Sequence, residues 1–377
     1  IICLLKALKR LCVKAHMRKG MEEYVMKKLN KLMSVAMSAA MVMSLAACGS
    51  TTEESAAPAD TATETKTETK TETKTETAAT DSDKVYQIGI LQQLEHPALD
   101  AASEGFEAAL TELLGADHVK FDLQNAQGEQ ANCATISNNF VAGNYDLILA
   151  NATTALQCAG AATSTIPILG TSITDYATAL EIDDWTGATG RNISGTSDLA
   201  PIAEQEKMLA ELFPDAKTVG ILYCSAEPNS KYQATEFEKA LDADNISYKE
   251  YTAADSNDIA SVVQTAVTEV DVIYIPTDNT MAGNTETINN ITLPAGIPVI
   301  AGEEGICKGC GVATLSISYY DIGYKAGEMA YDILVNGADI TTMNIEYAPQ
   351  VTKEYNASIA EQLGVTIPDG YTAIAAE

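Results

Sequence analysis

From residue 85 onward, short apolar runs alternate with longer stretches whose apolar positions recur at helical spacing. The runs at 85–91, 119–123, 147–150, 166–170, 218–223, 248–251, 272–275, 297–301, 312–316 and 345–347 predict strands. Helices are predicted between most of them, at 99–114, 132–141, 203–213, 231–243, 259–267 and 320–335. Regular alternation of this kind points to an α/β architecture with parallel sheets covered on both faces. Ten strands exceed one comfortable sheet of this type, so the pattern predicts two. The two series also look alike, each closing on an Ile-Pro strand: Ile166-Pro167-Ile168 in one, Ile297-Pro298-Val299 in the other.

Polar residues gather where strands hand over to helices. In the stretch 271–280, DVIYIPTDNT, Pro276 ends an apolar run and Thr277, Asp278 and Asn279 follow. The first strand is followed by Gln92 and Glu95, the third by Thr153 and Thr154, the fourth by Ser172 and Asp175. A polar crossover carries Ser197 and Asp198; the second series adds Ser225, Glu227, Asn229 and Ser230, then Glu303 after the run at 297–301. Any one of these side chains serves equally well as a helix N-cap. Two facing sets on two sheets instead describe a ligand cleft between lobes, outside the carboxyl ends of the strands.

The residue types suit a zwitterion. Thr153, Thr154 and Ser172, with helix-start N–H groups, match a carboxylate. Asp278, joined by Asp175 or Glu227, matches an ammonium through charge-assisted hydrogen bonds. His96, which precedes Pro97, reads as a loop residue orienting the first cleft turn. Trp185, the only tryptophan, covers either the cleft edge or a hydrophobic patch.

Charge changes the picture mainly at the N-terminus. The net charge is −29, but residues 1–47 hold nine of the 23 Lys and Arg and two of the 52 acids, leaving 14 − 50 = −36 from Cys48 onward. Such a surface repels phosphate backbones, which argues against nucleic-acid binding. Residues 26–47 join a basic start to an apolar, small-residue-rich run, as a signal peptide does. Leu45-Ala46-Ala47-Cys48 matches the bacterial lipobox, which implies cleavage before Cys48, lipidation there, palmitate included, and attachment to the outer face of the cytoplasmic membrane. Residues 48–83, rich in a Thr-Glu-Thr-Lys repeat, are expected to form a disordered tether. Residues 1–25 fit neither part and read as an over-extended start.

Enzyme chemistry lacks its parts: no GxSxG, GxxxxGK or GxGxxG motif occurs in a fitting context. Five cysteines in the globular part exclude a fully paired disulfide framework. Cys307 and Cys310 form the only CxxC, expected between two strands as a local disulfide or two inert thiols rather than a redox centre. No metal site and no cofactor are expected.

Residues 85–350 resemble the substrate-binding lipoproteins of ABC importers, the family that includes tryptophan- and tyrosine-binding members. The matching stretches are Ile88-Gly89-Ile90-Leu91-Gln92 with Glu95-His96-Pro97-Ala98-Leu99-Asp100, Gly195-Thr196-Ser197-Asp198, Ser225-Ala226-Glu227-Pro228-Asn229-Ser230, Pro276-Thr277-Asp278-Asn279-Thr280, Gly302-Glu303-Glu304-Gly305 and Tyr319-Tyr320-Asp321-Ile322-Gly323. Tyr176 and Thr154 stand where the family usually has proline. The resemblance implies a type I periplasmic-binding-protein fold, two Rossmann-like lobes joined by three crossovers. The expected boundaries are 84–196 with 308–340 for lobe 1, and 197–307 with 341–377 for lobe 2. It also implies capture of a small polar ligand, an aromatic amino acid first, by lobe closure and delivery to a permease in the same membrane. A sugar or nucleoside ligand, or a ligand-sensing receptor role, is the alternative.

Overall fold

The structure, a computed structural model, describes residues 84–375. The leader, Cys48 and the Thr/Glu/Lys tract lie outside the described residues.

Strands β1 (Tyr86–Gln92), β2 (Val119–Asn125), β3 (Leu147–Asn151), β4 (Ile168–Ile173) and β5 (Ile193–Ser197) form one parallel sheet in the order β2-β1-β3-β4-β5. Strands β6 (Thr218–Cys224), β7 (Ser247–Ala253), β8 (Val272–Ile275), β9 (Val299–Ala301) and β10 (Ala313–Ser316) form a second in the same relative order, β7-β6-β8-β9-β10. β11 (Glu346–Tyr347) then joins the first sheet beside β5. β12 (Thr352–Tyr355) pairs antiparallel with β10, and β13 (Thr372–Ala373) lies parallel to β12.

The helices in chain order are α1 (Pro97–Leu114), α2 (Gln130–Ala142), α3 (Thr153–Ala162), α4 (Tyr176–Ala179), α5 (Ile202–Leu212) and α6 (Pro228–Asp244). They continue with α7 (Ile259–Ala266), α8 (Asn279–Ala282), α9 (Thr285–Ala295), α10 (Glu304–Cys310), α11 (Tyr319–Leu334) and α12 (Ala357–Leu363). Central strands such as β3, LILAN, and β8, VIYI, are buried throughout, as parallel strands covered on both faces must be. The edge strands β2 and β7 are partly exposed.

The chain passes between lobes three times, at 198–201, 317–318 and 348–351. The middle crossing sends α11 back onto α1 of the first lobe. Small residues let the two backbones touch: a Cβ on Gly105 would strike the Tyr320 carbonyl, and one on Gly323 the Ala102 carbonyl.

The expected boundaries need correction at two points. β10 pairs with β9 and β12, so the second lobe runs to residue 316 rather than 307. β11 pairs with β5, so the first lobe keeps the chain to residue 347 rather than 340. The polar crossover at 192–198 contains β5, whose hydroxyls are satisfied internally: Ser194 Oγ donates to Met343 O at 3.1 Å and Thr196 Oγ1 to Ile322 O at 3.1 Å. Gly195 in β5, with φ +140°, lies where any Cβ would meet Gly170 of β4. Cys307 and Cys310 lie between β9 and β10 as expected, within the short helix α10 that joins them. Both are buried free thiols, and burial pushes both thiols up. Trp185 packs on the first lobe's core, the hydrophobic-patch reading.

Candidate functional site

A doubly wound sheet in the order 2-1-3-4-5 opens a crevice where its strand order reverses, between the first and third strands. Here that point lies beyond β1 and β3 in one lobe and beyond β6 and β8 in the other. The loops at those ends face each other around a small polar cavity of about 10 Å³. Small-molecule sites typically span roughly 300–1,000 Å³, so the lobes are drawn tightly together here and must part to admit a ligand.

The first lobe contributes His96, Leu99 and Ser172; the second contributes Asn229, Thr277, Asp278, Asn279, Ala282 and Glu303; Asp198 and Tyr319 enter from the crossings. Two hydrogen bonds tie the lobes across it. His96 Nε2 meets Asn279 Oδ1 at 3.2 Å, and Gln233 Nε2 donates to Thr174 Oγ1 at 3.3 Å.

Local structure explains several placements. Asp278 caps α8, accepting from Met281 N–H at 2.8 Å, and its other oxygen accepts Cys224 N–H at 2.6 Å from the last residue of β6. Glu303 caps α10 through Gly305 N–H at 2.6 Å and Ile306 N–H. Asp198 accepts Thr174 Oγ1 at 3.0 Å and Tyr319 OH at 2.9 Å. Ser172 has φ +58°, a left-handed conformation unusual for a residue with a side chain, where the β4–β5 register shifts. Strain of this kind collects at ligand sites, where the surrounding fold enforces it.

The electrostatics are one-sided. Burial, and then the nearby Glu227, push Asp278 up to about 8; burial pushes Glu303 up to about 7 and raises Asp198 as well. Among the described residues, no Lys or Arg lines the cavity. Burial lowers His96 below the usual imidazole range. Three polar atoms on lining residues have no protein partner: His96 Nδ1, Ser172 Oγ and Asn229 Oδ1. Buried polar groups are usually paired; four further unpartnered atoms, on Asn151, Glu206, Asn289 and Thr314, belong to residues outside the cavity.

Of the residues singled out from sequence, Ser172, Asp198, Asn229, Thr277, Asp278, Asn279 and Glu303 are brought together around the cavity. Gln92 stands behind it, bonded to Asp100 and Ser103. Glu227 and Ser230 support Asn229 from behind. Thr153 is buried at the start of α3, while Glu95 and Thr154 lie at the outer mouth between the lobes. Asp175 only caps α4, through Thr178 N–H. Ser197 braces the crossing through Thr174 O, and Ser225 turns outward to Ala253 O. His96, Leu99, Ala282 and Tyr319 are additional lining residues. His96 and Tyr319 each stand at a helix start, the signal that drew attention to the other strand ends.

Residues 87–377 match the family described as ABC transporter substrate binding protein. The chain is 35% identical over 271 residues to the tyrosine-binding protein of Clostridioides difficile (strain R20291), covering 70% of this chain and 78% of that one. The ABC domain from Streptococcus pneumonia in complex with L-Trp superposes with a TM-score of 0.73 at 32% identity, over 77% of this chain and 100% of that chain. The ligand-free, open structure of a substrate-binding protein with adhesive properties from Clostridium difficile gives 0.60 at 33% identity, over 78% and 100%. At equal identity and coverage, the lobes therefore match the tryptophan complex better than the open form.

Proposed function

The chain belongs to the ABC transporter substrate-binding proteins, and from that premise we propose that it captures an aromatic amino acid outside the cell membrane and delivers it to a permease. Its relatives are binding proteins and not enzymes. The fold is that of type I periplasmic binding proteins, in which contacts from both lobes favour the closed state over the open one.

One observation carries the ligand class: three buried carboxylates, Asp198, Asp278 and Glu303, line a cavity to which none of the described residues brings a Lys or Arg side chain. Buried acids held away from any cation carry a large desolvation cost, and a ligand ammonium relieves it. Asp175 takes no part in this, since it lies outside the cavity, and Glu227 is committed to the start of α8. For the ligand's carboxylate, Ser172 is the one hydroxyl of the expected three that reaches the cavity. Leu99 and Ala282 give the apolar wall that a side chain needs. Similarity to a tyrosine-binding protein and to a tryptophan complex supports the aromatic choice. The lipobox at Cys48 supports tethering at the membrane face where a permease stands.

A thermal-shift screen of the purified protein against amino acids, nucleosides and sugars tests the reading. A ligand at about 100 times its Kd stabilises by about 2.7 kcal/mol. L-tyrosine or L-tryptophan is expected to raise the Tm; a response confined to sugars or nucleosides contradicts the proposal.

A further inference from the structure

Two of the unpartnered atoms on cavity-lining residues have fixed hydrogen-bonding roles, and one buried carboxylate fixes both. Glu227 Oε2 lies 2.7 Å from Asn279 Nδ2 and 3.2 Å from Asn229 Nδ2, and it also accepts the Asn279 backbone N–H at 3.1 Å. Flipping either amide would place its oxygen against the carboxylate, two acceptors at hydrogen-bond distance. Asn279 therefore turns Oδ1 toward His96. The His96 nitrogen it meets, Nε2, must then carry the proton, which leaves Nδ1 of the neutral ring as a bare acceptor. Asn229 Nδ2 also faces the Thr277 carbonyl at 3.3 Å, so its Oδ1 points the other way. Both side chains are 7% exposed, and both free atoms belong to residues that line the cavity.

We propose that Glu227 sets the polarity of the cavity: acting through Asn279 and Asn229, it presents His96 Nδ1 and Asn229 Oδ1 as fixed acceptors that read the N–H groups of the ligand's ammonium. The proposal rests on the amino-acid reading above and names which end of the ligand these residues recognise. Glu227 does not line the cavity and is a positioning residue. Of the remaining polar lining, the Ser172 hydroxyl is left for the ligand's carboxylate. Asp198, Asp278 and Glu303 present carboxylate oxygens, and the Tyr319 hydroxyl is committed to Asp198. An ammonium, whose three hydrogens are all donors and which accepts nothing, fits such a wall.

The test is ¹⁵N NMR of the full chain labelled at histidine, with the His96 signals assigned by their loss in His96→Leu. The expected result is the Nε2–H tautomer for His96, with an Nδ1 resonance that shifts on addition of L-tyrosine. Glu227→Gln is expected to redistribute the tautomers and to weaken L-tyrosine binding at least tenfold, with a cooperative unfolding transition showing that it is folded. His96→Leu is expected to lose tenfold or more in affinity for L-tyrosine. An Nδ1–H tautomer in the unmutated protein overturns the proposal, as does a His96→Leu variant that binds L-tyrosine within threefold of the original. If no amino acid binds the unmutated protein, the functional reading fails, and the tautomer still decides whether the polarity is as described.

Discussion

The carboxylate of Asp278 and the backbone N–H of Cys224 are 2.6 Å apart, so one side chain joins the loop after β8 to the last residue of β6. The same carboxylate caps α8 through Met281. Asp278→Ala therefore removes a cap, worth about 1 kcal/mol, and strands a buried N–H, worth about 1–3 kcal/mol. We expect a loss of about 2–4 kcal/mol in urea unfolding together with at least tenfold weaker ligand binding. Asp278→Asn, which keeps an acceptor, is expected to lose less stability. Equal stability of the alanine variant and the parent would contradict the bracing role.

Glu303 gives a pH prediction. Its folded pKa of about 7 stands above the ordinary 4.5 because of burial. Below the ordinary value the acid is protonated in both folded and unfolded chains. Between the two values only the folded chain holds the proton, so stability is lost as pH rises through about 7 and levels off beyond it. Glu303→Gln has no proton to lose. Its stability relative to the parent is expected to climb by on the order of 3 kcal/mol from pH 4 to pH 8. A pH-independent difference, measured by denaturant titration at each pH, would refute the assignment.

The contact between α1 and α11 depends on absent side chains. Gly323→Ala places a methyl group against the Ala102 carbonyl, and only movement of a helix relieves it. Overpacking of this kind costs about 1–3 kcal/mol. A Tm unchanged by the substitution would show that the helices are less closely apposed than described.

Cys48 lies outside the described residues, and its lipidation is a proposal from the lipobox. Cys48→Ser is expected to move the protein from the membrane fraction to the soluble one in cell fractionation. Continued membrane attachment would count against the anchor.

Much of this architecture was legible because strands β1, β3, β6 and β8 are apolar runs closed by polar residues, and doubly wound sheets put their crevice at such ends. β5 escaped because its ISGTS sequence carries hydroxyls that only tertiary contacts satisfy. α10 escaped because two glycines, Gly305 and Gly309, disguise a short helix held by the Glu303 cap. Among the site residues, side-chain type alone did not separate ligand groups from braces. Asp175 and Asp278 both cap helices of four residues, yet only Asp278 lines the cavity. The role of Glu227 depends on two asparagines distant in sequence from one another, and no local pattern encodes their meeting.

Isothermal titration calorimetry with L-tyrosine, tyramine and 3-(4-hydroxyphenyl)propanoate tests the central claim most directly. The first carries both charged groups, the second keeps only the ammonium, and the third keeps only the carboxylate. An acid-lined cavity that reads the ammonium is expected to bind L-tyrosine, to retain measurable affinity for tyramine, and to show none for the propanoate. Propanoate binding as tight as L-tyrosine would contradict it.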